Sequence, residues 1–224
     1  MTETSGIIKL ENVFYAYPGS EIHVLRNLNL EINRGDRIGM IAPNGSGKTT
    51  LLHTIMGLCI PESGSIRIFG KELKEEKDFV PLRSRIGLLF QDSDDQLFCP
   101  TVVDDVAFGP LNLGYSKAES LDIAQKTLDR LGIRTFEDKV THRLSGGQKR
   151  LVALAAVLAM NPEILLLDEP TAGLDAKVKD ELIAILNQLE ISYFVISHEF
   201  DFVSAVTDKI YSMENGRILT DAEI

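Results

Sequence analysis

Residues 42–49, Ala-Pro-Asn-Gly-Ser-Gly-Lys-Thr, constrain this chain more than any other stretch. They follow a short apolar run, residues 37–41, that reads as a strand. They run into Thr49-Thr50-Leu51-Leu52, which reads as the start of a helix. The segment fits the Walker A pattern GxxxxGK[ST] except at its first position, where Ala42 stands in place of Gly. Gly45 and Gly47 let backbone N–H groups curl around phosphate oxygens. The helix beginning near Lys48 points its positive end at the same anion. Lys48 supplies a cation for β- and γ-phosphates, and the Thr49 hydroxyl is a ligand for Mg²⁺. The expected nucleotide-binding residues are therefore Ala42, Pro43, Asn44, Gly45, Ser46, Gly47, Lys48, Thr49 and Thr50, with ATP and Mg²⁺ as the implied ligands. Ala42 costs little if its φ is negative and crowds the loop otherwise.

A second chemical feature lies far along the chain. Residues 164–167 form an apolar, buried-type strand that ends in Asp168-Glu169. The carboxyl end of a strand is where an α/β sheet binds its ligand. Asp168 suits the Mg²⁺-coordinating role, and Glu169 can act as general base on an attacking water. Leu144-Ser145-Gly146-Gly147-Gln148 then opens a helix that should run over 144–160. Ser145 with two glycine backbones at a helix N-terminus is a second anion site. One chain needs only one phosphate loop, so a second site points to a phosphate shared between two subunits.

With these motifs in order, the sequence resembles the ABC transporter ATPases, and the resemblance covers essentially the whole chain. LSGGQ is the signature of that family. The resemblance implies that Gln91 in LLFQD contacts Mg²⁺ and the attacking water. It implies that His198 in VISHE contacts the γ-phosphate, that Asp175 in AGLDA belongs to the aspartate loop, and that Tyr17 in FYAYPGS stacks on adenine. Lys48, Gln91, Glu169 and His198 are then the catalytic set. Thr49, Gln91 and Asp168 are the metal ligands, and Ser145, Gly146, Gly147 and Gln148 reach a facing subunit's nucleotide. Residues 94–114 are similar to the energy-coupling-factor ATPases, above all the cobalt and nickel importers' subunit. That implies an ATP-driven head-to-tail dimer, probed first as a homodimer. It also implies a membrane-embedded coupling subunit docking near Asp94, Asp95, Leu97 and Phe98, and a place on the cytoplasmic face of the membrane. The sequence stops soon after Asn215-Gly216, where many such relatives carry a further dimerising stretch, so a stable nucleotide-free dimer is in question. Importers of another micronutrient, such as a vitamin, and soluble non-transport ABC ATPases stay open as alternatives.

Composition narrows the rest. The formal net charge is −10 with a pI near 4.9, and the densest basic run is Lys149-Arg150. Nucleic-acid binding needs a clustered basic face, so no nucleic-acid partner is expected. The two cysteines, Cys59 and Cys99, have no metal-site spacing. The longest apolar run, 151–160, is too short to span a bilayer. Asp92-Ser93-Asp94-Asp95 lacks the glycine and distal glutamate of a calcium loop. His23, His53 and His142 read as surface or packing residues.

The coarse pattern is α/β. Leu28, Leu30 and Ile32 alternate with polar residues, as in a half-buried strand. Residues 66–69 read as a strand closed by Gly70. Ser116 and Glu119 form a capping box for a helix whose apolar face carries Leu121, Leu128 and Leu131 and which stops at Gly132. Val178, Leu182, Ile185 and Leu189 mark another helix, 193–196 another strand, and Asn215-Gly216 a hairpin turn. The expected architecture is one domain over 1–224: a P-loop NTPase core on a parallel sheet, an antiparallel β subdomain at the N-terminal side, and an α-helical lobe inserted over about 91–144.

Overall fold

The computed structural model describes residues 6–219. Its strands fall into two sheets. The first is antiparallel, in the order β2-β1-β4-β5, and is built from β1 (Gly6–Ala16), β2 (His23–Asn33), β4 (Ser63–Ile68) and β5 (Lys71–Leu73). The alternation in β2 is realised as expected: Leu28, Leu30 and Ile32 are buried while Asn29 and Glu31 face outward. Phe69 is a correction. It lies just beyond β4 with a left-handed φ of 50°, so it starts the turn into β5 rather than ending the strand.

The second sheet has the order β10-β9-β3-β8-β7-β6. Its members are β3 (Arg37–Ile41), β6 (Ile86–Leu89), β7 (Ile164–Asp168), β8 (Ser192–Ser197), β9 (Lys209–Glu214) and β10 (Arg217–Leu219). All neighbouring pairs are parallel except β9 with β10. The Asn215-Gly216 hairpin is thus stitched onto the core sheet through β9, a connection its local sequence does not reveal. Strands β7 and β8 are buried at every position, which is why they read as continuous apolar runs and not as alternation.

Helix α1 (Lys48–Ile55) follows β3 through the glycine-rich loop, and the short α2 (Glu76–Phe79) caps the other sheet. Between β6 and β7 comes the lobe, with α3 (Val102–Asn112) and α4 (Lys117–Arg130) packed on α5 (Gly146–Leu158). Helices α6 (Ala176–Gln188) and α7 (Phe200–Val206) complete the chain. The capping box at Ser116 and Glu119 forms, and Leu128 and Leu131 are buried below it. Helix α3 has no clear signal in the sequence because Gly109-Pro110 lies inside it. Gly109 is there for contact: a Cβ would come within 2.5 Å of Met160 Cγ.

Two buried clusters hold these layers. One fills the space between the two sheets and α1, around Ile8, Leu28, Met40, Leu51 and Phe194. The other joins the lobe to the opposite face of the parallel sheet, around Leu97, Val106, Leu128, Leu154, Leu167 and Leu182. The carboxyl ends of β3, β7 and β8 therefore lie along one rim, with the lobe beside it.

Candidate functional site

Three strand ends build the site. The loop after β3 reverses the chain through Gly45 and Gly47, both left-handed with φ of 79° and 104°. At Gly47 a Cβ would also meet the Val24 carbonyl oxygen at 3.1 Å, so the position excludes any side chain. Ala42 is buried and is absent from the residues with positive φ, so its methyl group is accommodated without backbone strain. Its carbonyl accepts a 3.0 Å bond from Lys48 Nζ.

Lys48 is nearly buried, and its ammonium has two further acceptors. Asn44 Oδ1 lies at 3.3 Å and Glu169 Oε1 at 3.0 Å. The Lys48–Glu169 pair is 9% and 5% exposed in its side chains, and the pairing offsets part of the cost of burying each charge. The other oxygen of Glu169 faces His198, with Nδ1 at 2.9 Å, and also accepts from the His198 backbone N–H at 3.3 Å. Glu169 itself has a left-handed φ of 44°, a conformation costing a non-glycine residue about 1–2 kcal/mol. Backbone strain of this kind gathers where a side chain must be aimed.

Asp168, the preceding residue and the last of β7, accepts a 3.3 Å bond from Thr49 Oγ1. Burial raises its pKa above the ordinary carboxylate range, the Thr49 hydroxyl pulls the other way, and the charge of Glu169 adds to the rise. Among the described residues, Asp168 Oδ1 and Ser46 Oγ are buried with no hydrogen-bond partner. A buried carboxylate oxygen without a partner, beside a threonine hydroxyl, matches the oxygen set that Mg²⁺ takes. The loop thus fits a phosphate and the adjoining oxygens fit the ion that accompanies it.

Tyr17 hydrogen bonds through its hydroxyl to Thr50 Oγ1 at 2.9 Å, which ties it to α1, and its ring is 45% exposed. Its neighbour Tyr15 is buried in the core. Burial, then Cys59, push the Tyr15 phenol up to about 12. Of the aromatics in FYAY, Tyr17 is the one free to meet a flat ligand.

A cleft of about 710 Å³ runs from Thr49 and Asp168 to residues 90–95 and to Gly146, Lys149 and Arg150. Gln91 is exposed in it. His53, read from sequence as a surface or packing residue, also lines it. Ser145 caps α5, accepting from Gln148 N–H while Gln148 Oε1 accepts from Ser145 N–H. Gly147 has a packing role that the motif alone does not reveal: a Cβ would lie 2.8 Å from Val178 Cγ2 of α6. None of Ser145, Gly147 or Gln148 hydrogen bonds to residues 42–50 in this chain, among the described residues. Asp175 caps α6 by accepting from Val178 N–H at 3.0 Å.

One sequence expectation needs correction. Leu97, placed in an exposed groove, is 8% exposed and belongs to the lobe's core, whereas Phe98 is 64% exposed. Phe98 pairs edge-to-face with Phe108 of α3, 42% exposed, which the sequence reading did not single out. Arg150 is buried, with its guanidinium on the Phe90 and Gln91 carbonyls.

Comparison with known proteins agrees with this geometry. The family described as ABC transporter matches residues 25–172. The chain belongs to the ABC transporter ATP-binding family. It is 40% identical to the energy-coupling factor transporter ATP-binding protein EcfA of Methanocaldococcus jannaschii, over 96% of this chain and 78% of that protein. It is 41% identical to the cobalt import ATP-binding protein CbiO of Rhodobacter capsulatus, over the same shares. Among solved structures, cbiO1 of Clostridium perfringens, part of the ABC transporter complex cbiONQ, superposes with a TM-score of 0.87 at 38% identity, covering 96% of this chain and 88% of that one. A dimeric ATP-binding cassette in a post-hydrolysis state, bound to ADP and Pi, superposes at 0.86 and 28% identity, with 95% and 98% covered. The P-loop fold with its antiparallel sheet and helical lobe is that of these cassettes, and the chain is an ATPase of the ABC type. No helix among the described residues is long and apolar enough to cross a membrane.

Proposed function

We propose that this chain is the ATP-hydrolysing subunit of an energy-coupling-factor type importer for cobalt or nickel ions, with Glu169 as its general base. The observation that carries the chemistry is the double hold on Glu169. One carboxylate oxygen is paired with Lys48 of the phosphate loop and the other with His198 at the end of β8. In this reading ATP draws Lys48 onto its β- and γ-phosphates, and Glu169 loses its counter-charge. Its freed oxygen then accepts a proton from the attacking water while His198 keeps the carboxylate aimed. Tyr17 offers its ring face to adenine, and residues 42–50 supply the N–H groups that cradle the phosphates. Thr49, Asp168 and Gln91 would hold Mg²⁺, which supplies charge neutralisation on the phosphate oxygens.

The similarity to EcfA, to CbiO and to the cbiONQ subunit supports the transport reading and a place on the cytoplasmic face of a membrane. A dimeric relative supports head-to-tail assembly of two copies, in which Ser145, Gly146, Gly147 and Gln148 of one subunit face the nucleotide of the other. The coupling subunit would dock on the exposed Phe98–Phe108 pair beside Asp94 and Asp95, with a basic residue of its own against the acids. The test is Glu169→Gln. Steady-state hydrolysis should collapse while ATP affinity holds; near-normal turnover would move the base elsewhere.

A further inference from the structure

Arg150 lies in the second turn of α5, five residues after the cap Ser145, and only 4% of its surface is exposed. A buried arginine needs partners for a fixed fork of donors. Its two terminal nitrogens donate to consecutive backbone carbonyls, Nη1 to Phe90 and Nη2 to Gln91. The bonds therefore grip the peptide unit at the base of the Gln91 side chain. Next to it, Lys149 forms an ion pair with Asp94. Both contacts join the same two pieces of chain, the helix that carries the signature and the segment that follows β6. Phe90 N–H donates to Gln96 Oε1, and Gln96 Nε2 donates to the Leu88 carbonyl, so the segment is also closed on itself. The remaining nitrogen of Arg150, Nε, is buried with no hydrogen-bond partner among the described residues. Asp92 and Asp168 are the charges that act on the guanidinium.

We propose that Arg150 is a positioning residue for the ATPase reaction: by holding the Phe90 and Gln91 carbonyls it fixes the direction of the Gln91 side chain and makes that direction follow the N-terminus of α5. This rests on the reading that Gln91 acts at the nucleotide. Gln91 has no hydrogen bond of its own side chain among the described residues, so the only restraint on where it points is its backbone. Lysine at 150 keeps the charge but replaces the rigid planar fork with a flexible ammonium, so the fixed two-point geometry on the Phe90 and Gln91 carbonyls is lost. A change at the signature end of α5 is transmitted to Gln91 by the rigid grip and weakened by a flexible one.

The experiment is a double-mutant cycle on the full chain, with Arg150→Lys, Gln91→Ala and both together. Each variant is read for kcat and KM with Mg-ATP, for affinity toward a fluorescent ATP analogue, and for melting temperature. Gln91→Ala should lower kcat about tenfold, a loss of ~1.4 kcal/mol in transition-state stabilisation. Arg150→Lys should lower kcat by a similar factor with KM, analogue affinity and melting temperature little changed. In the Gln91→Ala background, Arg150→Lys should then have almost no further effect, because the group it positions is gone. Multiplicative losses in the double variant would overturn the proposal, and so would a loss that tracks melting temperature. If Gln91→Ala alone leaves kcat unchanged, it is the assignment of Gln91 to the reaction that falls. If Arg150→Lys does not fold, Lys149→Ala with Asp94→Ala provides the same cycle through the second tie, and full additivity with Gln91→Ala there would sink the coupling.

Discussion

The two halves of the site differ in how far one chain completes them. On the core side, the loop after β3 and the ends of β7 and β8 meet in a closed set of contacts. Lys48, Glu169 and His198 are joined by bonds of 2.9 to 3.0 Å, and two of the three are almost fully buried. On the lobe side, among the described residues, Ser145 bonds only to Gln148 and Lys149 of its own helix, and Gln91 is held through its backbone carbonyl alone. The core half thus carries preset charges against strained backbone, whereas the lobe half presents donors that its own chain does not use. That asymmetry is what a site shared between two copies requires.

The largest effect should come from the core half. Glu169→Gln keeps the shape but removes the base, and kcat should fall by about 10² to 10⁴. ATP binding should survive, measured by titration, because the amide still occupies the carboxylate's place. Lys48→Ala should act differently, weakening ATP affinity itself through loss of the phosphate contact. A variant Glu169→Gln that hydrolyses ATP at the normal rate would erase the distinction between the halves.

The lobe half separates packing from docking at adjacent residues. Leu97→Ala should cost about 2–3 kcal/mol of stability, as a truncated core leucine does. Phe98→Ala, at an exposed position, should cost well under 1 kcal/mol in the isolated subunit. Assembly with the membrane partner should show the reverse order, weakened by Phe98→Ala beyond what stability explains. Equal melting losses for the two variants would contradict the different placement of these side chains.

A smaller effect tests the electrostatics away from the site. Burial opposes the charge on Asp36, but Lys209 at 2.7 Å and the Asn33 N–H outweigh it and hold the carboxyl below the ordinary range. A lowered pKa contributes stability above the unfolded carboxylate value and loses it as pH falls through the folded one. Lys209 is half exposed, so solvent screening keeps the contribution near about 1 kcal/mol. Asp36→Asn should therefore lower the melting temperature at pH 7, with the difference shrinking as pH falls below the ordinary carboxylate range and through the lowered folded-state value. A gap that persists in acid would assign the effect to packing instead.

Much of the core half was legible because its chemistry is local. A glycine-rich loop between strand and helix, and two acids at a strand's end, each announce a role, although Lys48 and Glu169 are far apart in the chain. Neighbouring residues of one type were not separable. Leu97 and Phe98 are both apolar, and which one enters the core depends on how the segment turns toward α3, where Asp105 accepts from the Phe98 and Cys99 N–H groups. Arg150 entered the sequence reading only as part of the densest basic run. Its signal was its place on the apolar face of α5, in line with Leu154 and Val157, where a charge demands a partner. The parallel pairing of β9 with β3 is long-range and leaves no trace in either strand alone.

The central claim is that one chain supplies the base and a second copy supplies the signature. Analytical ultracentrifugation of the Glu169→Gln variant tests it most directly, since ATP persists there as part of the interface. The account predicts a monomer without nucleotide and a two-fold dimer at saturating Mg-ATP, with the shift abolished by Ser145→Arg. A species that stays monomeric at saturating Mg-ATP would contradict completion of the site by a second copy of this chain.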